Sequence, residues 1–533
     1  MFHKSLLARG AKLTLSLAGA ALVLSTVATA APVSRGAAAR PVQRQNKVVG
    51  PNATTTLYSG GATLPAIAYL GTTEAATNPG VVPGTGTAGS VFGYFFSLSQ
   101  HSSFSDQYCQ TGSGFGKKVL DGSVAANIAC AALGATPTGF GAATAVADFA
   151  GSDSPVSGSE YTTFNTNEQN SSNPIFGRGE FVQVPYIAGA VAIFYNNSDV
   201  SSQLGLTPST LCKIADGEIN NWNQVPKNPA NPNGPFFPSK TLKWVYRADS
   251  SGTTFSFSNY VSSISTSSGT RNNCKGSGET YALNSVYDPK NTSVSPAPSS
   301  GVLPLGTTDA NFLAANLNPG VVECILGTAN VCTNQGSTTL TTGGDGSIGY
   351  VEAANALANR NGASQDFAKL RVTKNGVTTE YDPITDLPAA ADTVSRFVVD
   401  LVVGAFVANG RPTGGPSGNP DLAALPNTPV KAKCLGIVDP QTYSSPSRGY
   451  PIMAVTNLEF SLAGNGTKAA TLQALGKFTN SKTNFGTGKI TSVDLYGTSS
   501  NPVTGTTGYS AIPLNSSNNT ENISTLVRNC IGA

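Results

Sequence analysis

Alternating and helically spaced apolar positions place the elements along the chain. Residues 55–59 read as a strand, and a short helical run follows over residues 66–70. Residues 146–150 read as a strand that ends in Gly151-Ser152-Asp153-Ser154-Pro155. The apolar runs 182–187 and 190–195 read as two buried strands. Leu211, Ile214 and Ala215 share one face of a helix predicted over residues 206–219, with Pro208 early in it. Leu242-Lys243-Trp244-Val245-Tyr246 is an alternating run, and Phe257, Tyr260 and Val261 then fall at i, i+3, i+4, so a strand gives way to a helix. Strands are predicted over 346–352 and 450–455, helices over 468–478 and 521–530, and a helix or strand pair over 394–407. Strands alternating with helices favour an α/β frame with parallel sheets.

Several strand-to-helix turns carry Gly with Ser or Thr. The fullest is Arg247-Ala248-Asp249-Ser250-Ser251-Gly252-Thr253-Thr254. The first turn of a helix has N–H groups without intrahelical partners at a positive dipole end. Glycine admits a ligand to that backbone, hydroxyls add donors, and Arg adds a fork of N–H groups suited to an oxyanion. The stretch reads as an anion seat. Thr63 after Gly60-Gly61-Ala62 and Ser113 within Gly112-Ser113-Gly114 repeat the pattern. Gly112 to Lys117 is not a nucleotide-binding P-loop, because no Gly stands five residues before Gly116 and no Ser or Thr follows Lys117. Asp153 has two readings: a cap for the next helix, or an acceptor for a proton that the ligand carries.

Composition narrows the chemistry. Lys4, Arg9 and Lys12 precede an apolar run that ends in Ala28-Thr29-Ala30, so residues 1–30 read as a cleaved signal peptide and the mature chain as periplasmic or secreted. Its loss takes the 32 basic residues to 29, equal to the 29 acidic ones. A neutral, sparsely charged chain argues against nucleic acid as partner. Only His101 survives removal of the signal, and it reads as a solvated side chain. Ser-His-Asp, Cys-His and His-based metal sites are therefore poorly supplied, and no metal or cofactor is expected. Eight cysteines in an exported chain predict disulfides, with Cys109–Cys130, Cys212–Cys274, Cys324–Cys332 and Cys434–Cys530 the simplest pairing.

Five segments in order carry a resemblance. They are Gly60-Gly61-Ala62-Thr63-Leu64-Pro65, Gly112-Ser113-Gly114, Gly151-Ser152-Asp153-Ser154-Pro155, Arg247-Ala248-Asp249-Ser250-Ser251-Gly252-Thr253 and Gly346-Ser347-Ile348-Gly349-Tyr350-Val351-Glu352. Together they resemble the phosphate-binding proteins of the high-affinity phosphate ABC transporter, in the periplasmic binding protein superfamily, near its DING branch. The resemblance implies a type II α/β fold of two lobes, each a mixed sheet flanked by helices, with the ligand in the cleft between them. After residues 1–30 and a disordered leader at 31–53, lobe I is expected over 54–175, lobe II over 176–370, and the rest of lobe I over 371–533 with an insertion near 408–432. Thr63, Leu64, Ser113, Asp153, Arg247, Ser251, Gly252 and Thr253 would bind inorganic phosphate, with Asp153 accepting the ligand's proton and Asp249 holding Arg247. A transporter permease in the membrane would be the partner, and the protein would be a monomer.

There are departures from the family's pattern. Leu64 and Phe115 stand where members often carry Phe and Gly, and Leu57-Tyr58-Ser59-Gly60 replaces the DING run. Extra length at 225–239, 262–300 and 408–432 bears on the docking surface more than on the pocket. Two other functions compete with non-catalytic phosphate capture: an exported phosphoesterase using the same pocket, and an adhesion or matrix protein suggested by the Ser/Thr/Asn/Gly-rich loops.

Overall fold

The central strand of the molecule, Phe181–Asn196, is buried along all of its 16 residues. It belongs to a computed structural model that describes residues 55–72, 85–130, 136–265, 287, 311–335, 337–374, 376–389, 397–399, 434–438, 440–495, 505–512 and 523–532. The signal and leader segments, most of the 262–300 excursion, most of the 394–407 run and the 408–432 insertion lie outside those residues. The runs expected as two strands, 182–187 and 190–195, form one strand that is continuous through Ala188-Gly189. Pro185 lacks an N–H, and the antiparallel partner Met453–Ser461 shifts register beside it, pairing Thr456 with Ile187 and Asn457 with Pro185. Tyr186 is thus the bulged residue, and its carbonyl accepts the Thr479 hydroxyl at 2.8 Å.

The central strand serves two half-sheets. Residues up to Ala190 pair with Met453–Ser461, beyond which lie Phe149–Ser152, Thr55–Gly61 and Phe104–Gln110. Residues from Val191 onward pair antiparallel with Ser347–Glu352, beyond which lie Lys243–Arg247 and Phe312–Ala315. Three outer strands of the first half are mutually parallel, as are three of the second. The central strand and Met453–Ser461 run against their neighbours, so the sheets are mixed and not the parallel sheets that alternation favours. Helices flank each half, giving two α/β lobes. Each lobe has its own aromatic core: Tyr69, Phe92, Tyr108, Phe149 and Tyr186 in one, Trp244, Phe257, Tyr287 and Tyr350 in the other.

Several boundaries differ from the sequence expectation for local reasons. The strand expected at 146–150 is Phe149–Ser152. Asp148 occupies the preceding rung: its N–H goes to the Tyr58 carbonyl, and its Oδ2 takes the Tyr58 N–H at 2.7 Å. A side chain thus replaces a ladder carbonyl. The helix expected at 206–219 is Pro208–Ala215, begun by the Thr207 hydroxyl accepting the Thr210 N–H and followed by Gly217 at φ +83°. The helix at 468–478 is Ala469–Gly476 with a 3₁₀ turn before it and another after it, and the last helix is Ile523–Cys530. His101 is not solvated. It is 8 % exposed and stacks on Phe95 at 4.1 Å between centroids, and burial lowers its pKa.

Three of the expected disulfides form: Cys109–Cys130, Cys324–Cys332 and Cys434–Cys530. Cys274 of the fourth lies outside the described residues. The longest of the three joins residues 96 apart and ties the final helix to the first lobe. Loop-closure entropy of the unfolded chain grows with that separation. Replacing Cys434 and Cys530 together by Ala should cost about 2–4 kcal/mol of stability, measured by denaturant unfolding. An unchanged midpoint would contradict this account.

Candidate functional site

The ends of the parallel strands converge. Thr63 follows Thr55–Gly61, Ser113 follows Phe104–Gln110, and Asp153 follows Phe149–Ser152. From the other half, Arg247 ends Lys243–Arg247, and Asn318 follows Phe312–Ala315. All lie at the carboxyl ends of parallel strands, where open α/β sheets bind ligands. Thr63, Ser113, Asp153, Arg247, Thr253 and Asn318 are each at most 2 % exposed.

Ser113 opens the helix Ser113–Leu120 and ties three segments together. Its Oγ accepts the N–H of Asp153 at 3.0 Å and of Gly252 at 3.2 Å, and donates to Asp153 Oδ2 at 3.3 Å. Asp153 Oδ1 is buried with no partner among the described residues. Asp153 is not a helix cap. The helix Gly158–Gln169 is capped reciprocally by Ser157 and Glu160. Burial pushes the Asp153 pKa up to about 7, against the opposing pull of Arg247, the Ser113 hydroxyl and Lys117. Lys117 lies one turn along from Ser113 and is itself buried. Its ammonium donates to Ser154 Oγ at 3.0 Å and to the Pro155 carbonyl at 3.3 Å, and pairs with Glu160 at 2.8 Å, fixing the loop that follows Asp153.

Arg247 is gripped on its whole fork. Nε donates to Asp249 Oδ1 at 2.7 Å and Nη2 to Oδ2 at 2.5 Å. Nη1 donates to Thr253 Oγ1 at 3.2 Å and to Asn318 Oδ1 at 3.1 Å. The Arg247 N–H donates to the Tyr350 hydroxyl, which shares a 2.7 Å hydrogen bond with Thr254 Oγ1. Ser251 Oγ accepts the Thr254 N–H, as a cap does for the helix Gly252–Ser265. Leu64 lies beside Thr63 with its side chain in the core, and its carbonyl accepts the Tyr509 hydroxyl.

Two glycines are required by contact. A Cβ on Gly112, which sits at φ +83°, would come within 2.4 Å of Asp249 Oδ2. A Cβ on Gly252 would meet Asp153 Cβ at 2.4 Å and Ser113 Oγ at 2.5 Å. Side chains there would wedge apart the segments that meet at the site.

The structure brings Ser113, Asp153 and Gly252 into one hydrogen-bonded group and Thr63, Arg247 and Thr253, through Asn318, into another with Asp249 against Arg247, the two meeting at the Gly252–Thr253 peptide. Sequence reasoning missed Asn318, Tyr350 and Lys117. Asn318 carried a readable sign, since Asn318-Pro319-Gly320 puts Pro in a first helical turn after an apolar run. Chemically the cluster offers one guanidinium, several hydroxyls and N–H groups at helix starts, and one acceptor carboxylate, in a place shut off from water. Among the described residues, no group of three or more His, Cys, Asp or Glu is placed to hold a metal ion.

Comparison with known proteins follows the same lines. Over 157 residues the chain is 32 % identical to Alkaline phosphatase L of Pseudomonas aeruginosa, covering 30 % of this chain and 35 % of that one. It is 27 % identical over 317 residues to a phosphate-binding protein from an unknown prokaryotic organism, covering 59 % of this chain and 66 % of that one. The chain therefore spans between about a third and just under two thirds of these curated relatives. A solved structure of a high affinity periplasmic phosphate-binding protein (PfluDING) bound with phosphate is 22 % identical, with 90 % of this chain and 99 % of that one covered and a TM-score of 0.48. The family described as the PBP superfamily domain matches residues 73–401, more than half of the chain, and the protein belongs to that superfamily.

Proposed function

We propose that this protein captures inorganic phosphate in the cleft between its two lobes, outside the cytoplasm, for high-affinity uptake or for extracellular scavenging, and releases it chemically unchanged. The observation that carries the reading is a buried carboxylate, Asp153, whose Oδ1 has no partner among the described residues and which is held by the Ser113 hydroxyl within electrostatic reach of Arg247. An acceptor carboxylate beside a guanidinium suits an oxyanion that still carries a proton. In this reading Thr63, Ser113, Ser251 and Thr253 offer hydroxyls, Gly252, Thr63 and Leu64 offer N–H groups, Arg247 supplies the charge and Asp249 orients it. Charge-assisted hydrogen bonds of about 1.5–3 kcal/mol each, half a dozen together, support micromolar binding or better after the entropic cost.

The lobe limits 54–175, 176–370 and 371–533, the monomeric state and delivery to a membrane permease belong to the same proposal. The central strand falls wholly within 176–370 yet pairs with strands of both halves, which suits a hinge. The test is equilibrium dialysis of the purified mature protein, freed of carried-over ligand, against labelled phosphate. Saturable binding is expected, and its absence would sink the reading. Relatives named Alkaline phosphatase L keep a second reading in play, an exported phosphoesterase using this pocket. Turnover of a chromogenic phosphomonoester that disappears in Arg247→Ala would favour it.

A further inference from the structure

Asn318 is fully buried and stands second in the helix Leu317–Leu326. Its polar groups reach three residues from two distant parts of the chain. The backbone N–H donates to Thr63 Oγ1 at 3.3 Å, Oδ1 accepts from Arg247 Nη1 at 3.1 Å, and Nδ2 donates to Thr253 Oγ1 at 3.2 Å. Thr63 belongs to one half-sheet, whereas Arg247, Thr253 and Asn318 belong to the other, so Asn318 also closes the seam between them.

The turn that presents Asn318 is strained. Leu317 has φ +65° and is the only non-glycine with positive φ among the described residues. Its side chain is fully buried, and its N–H donates to Asp249 Oδ1 at 2.9 Å. A β-carbon disfavours this conformation, which persists only where the surroundings over-determine it. Here the determinant is Asp249, the carboxylate that also holds the Arg247 fork. One anion thus sets both the guanidinium and the turn bearing Asn318. The buried Asp153 Oδ1 has no partner among the described residues, and Asp153 lies within electrostatic reach of the Arg247 that Asn318 holds.

Resting on the phosphate reading above, we propose that Asn318 touches the bound anion and helps set affinity for it, as a ligand residue beyond those of the five glycine-bearing segments. The Asn318 amide contacts Arg247 and Thr253 and its N–H contacts Thr63, all groups that the phosphate reading places on a tetrahedral oxyanion, so the amide would lie at that oxyanion's surface. Nδ2 turns from Thr253 to a phosphate oxygen while Oδ1 keeps Nη1 in place. The side chain is neutral, so it donates without adding charge. Asp at this position keeps the shape, loses the donor and sets a negative charge against the anion. The charged groups around it are Arg247, Asp249 and Asp153.

The experiment is calorimetric titration of the stripped mature protein with inorganic phosphate at pH 8, comparing wild type with Asn318→Asp. Wild type must bind; failure there defeats the phosphate reading itself. The variant is expected to bind roughly 100-fold more weakly, the equivalent of about 2.7 kcal/mol. Binding within about threefold of wild type overturns the contact. If Asn318→Asp does not fold, Asn318→Ala decides. A roughly 10-fold loss supports the contact, and wild-type affinity overturns it.

Discussion

Arg247→Ala is expected to lose phosphate binding by roughly a thousandfold or more, read by calorimetry or dialysis. Arg247 is 2 % exposed and has Asp249 across Nε and Nη2. Removing it deletes the cation of the site and also leaves Asp249 buried without its main countercharge. Breaking a buried pair from one side costs about 3–5 kcal/mol, so part of the loss will appear as instability. The double variant Arg247→Ala/Asp249→Ala separates the two effects. It should recover most of the thermal stability and none of the binding. Arg247→Lys keeps the charge without the planar fork and should fall between. Full binding by Arg247→Ala would place the anion elsewhere in the molecule.

Asp153→Asn is expected to change selectivity and pH dependence together. Ionised Asp153 only accepts, so in the proposed site it would take the hydrogen of monohydrogen phosphate and repel sulfate, which has none to offer. An amide can present an N–H instead. The phosphate-to-sulfate preference should fall by at least about tenfold, and an unchanged preference would remove Asp153 from the discriminating role. The stability effect has a definite sign. Burial raises the folded pKa to about 7 from 3.8, so the folded state holds this proton more tightly than the unfolded state does. The stabilising contribution is complete below pH 3.8 and is lost as pH rises through about 7. Wild type should therefore be the less stable at pH 8 by up to about 4 kcal/mol from this group, and Asp153→Asn should flatten that slope. Glu352, pushed by burial up to about 8 while it caps the helix Ala353–Asn359, adds to the same trend and is untouched by the substitution.

Much of the site was readable because its parts are local. Thr63, Ser113, Asp153 and the Arg247–Thr253 run each sit in a short strand, turn and helix start whose residue types announce the geometry. Asn318 has the same local form, but its relevance depends on Phe312–Ala315 lying beside Lys243–Arg247, a pairing between distant residues that periodicity does not report. The fold divides in the same way. Apolar runs located the central strand but split it at Ala188-Gly189, because the partners that carry it through, Met453–Ser461 and Tyr509–Ala511, lie more than 250 residues away. His101 looked solvated among Gln and Ser, yet its burial comes from Phe95, which reaches it from the preceding helix Val91–Ser97. Asp148 took a ladder position because Tyr58 lies opposite.

The three described disulfides also bear on the mechanics. Cys109–Cys130 and Cys434–Cys530 lie on the side of the first half-sheet, and Cys324–Cys332 lies on the side of the second. None of them spans the seam. These three therefore staple each half internally and leave the gape between them free. Among the described residues, the grip across the seam at the site is reversible and includes the Ser113 hydroxyl on the Gly252 N–H, the Gly114 N–H on the Ser250 carbonyl and the Asn318 N–H on Thr63. Closing these three disulfides would thus harden the two jaws without locking the jaw joint.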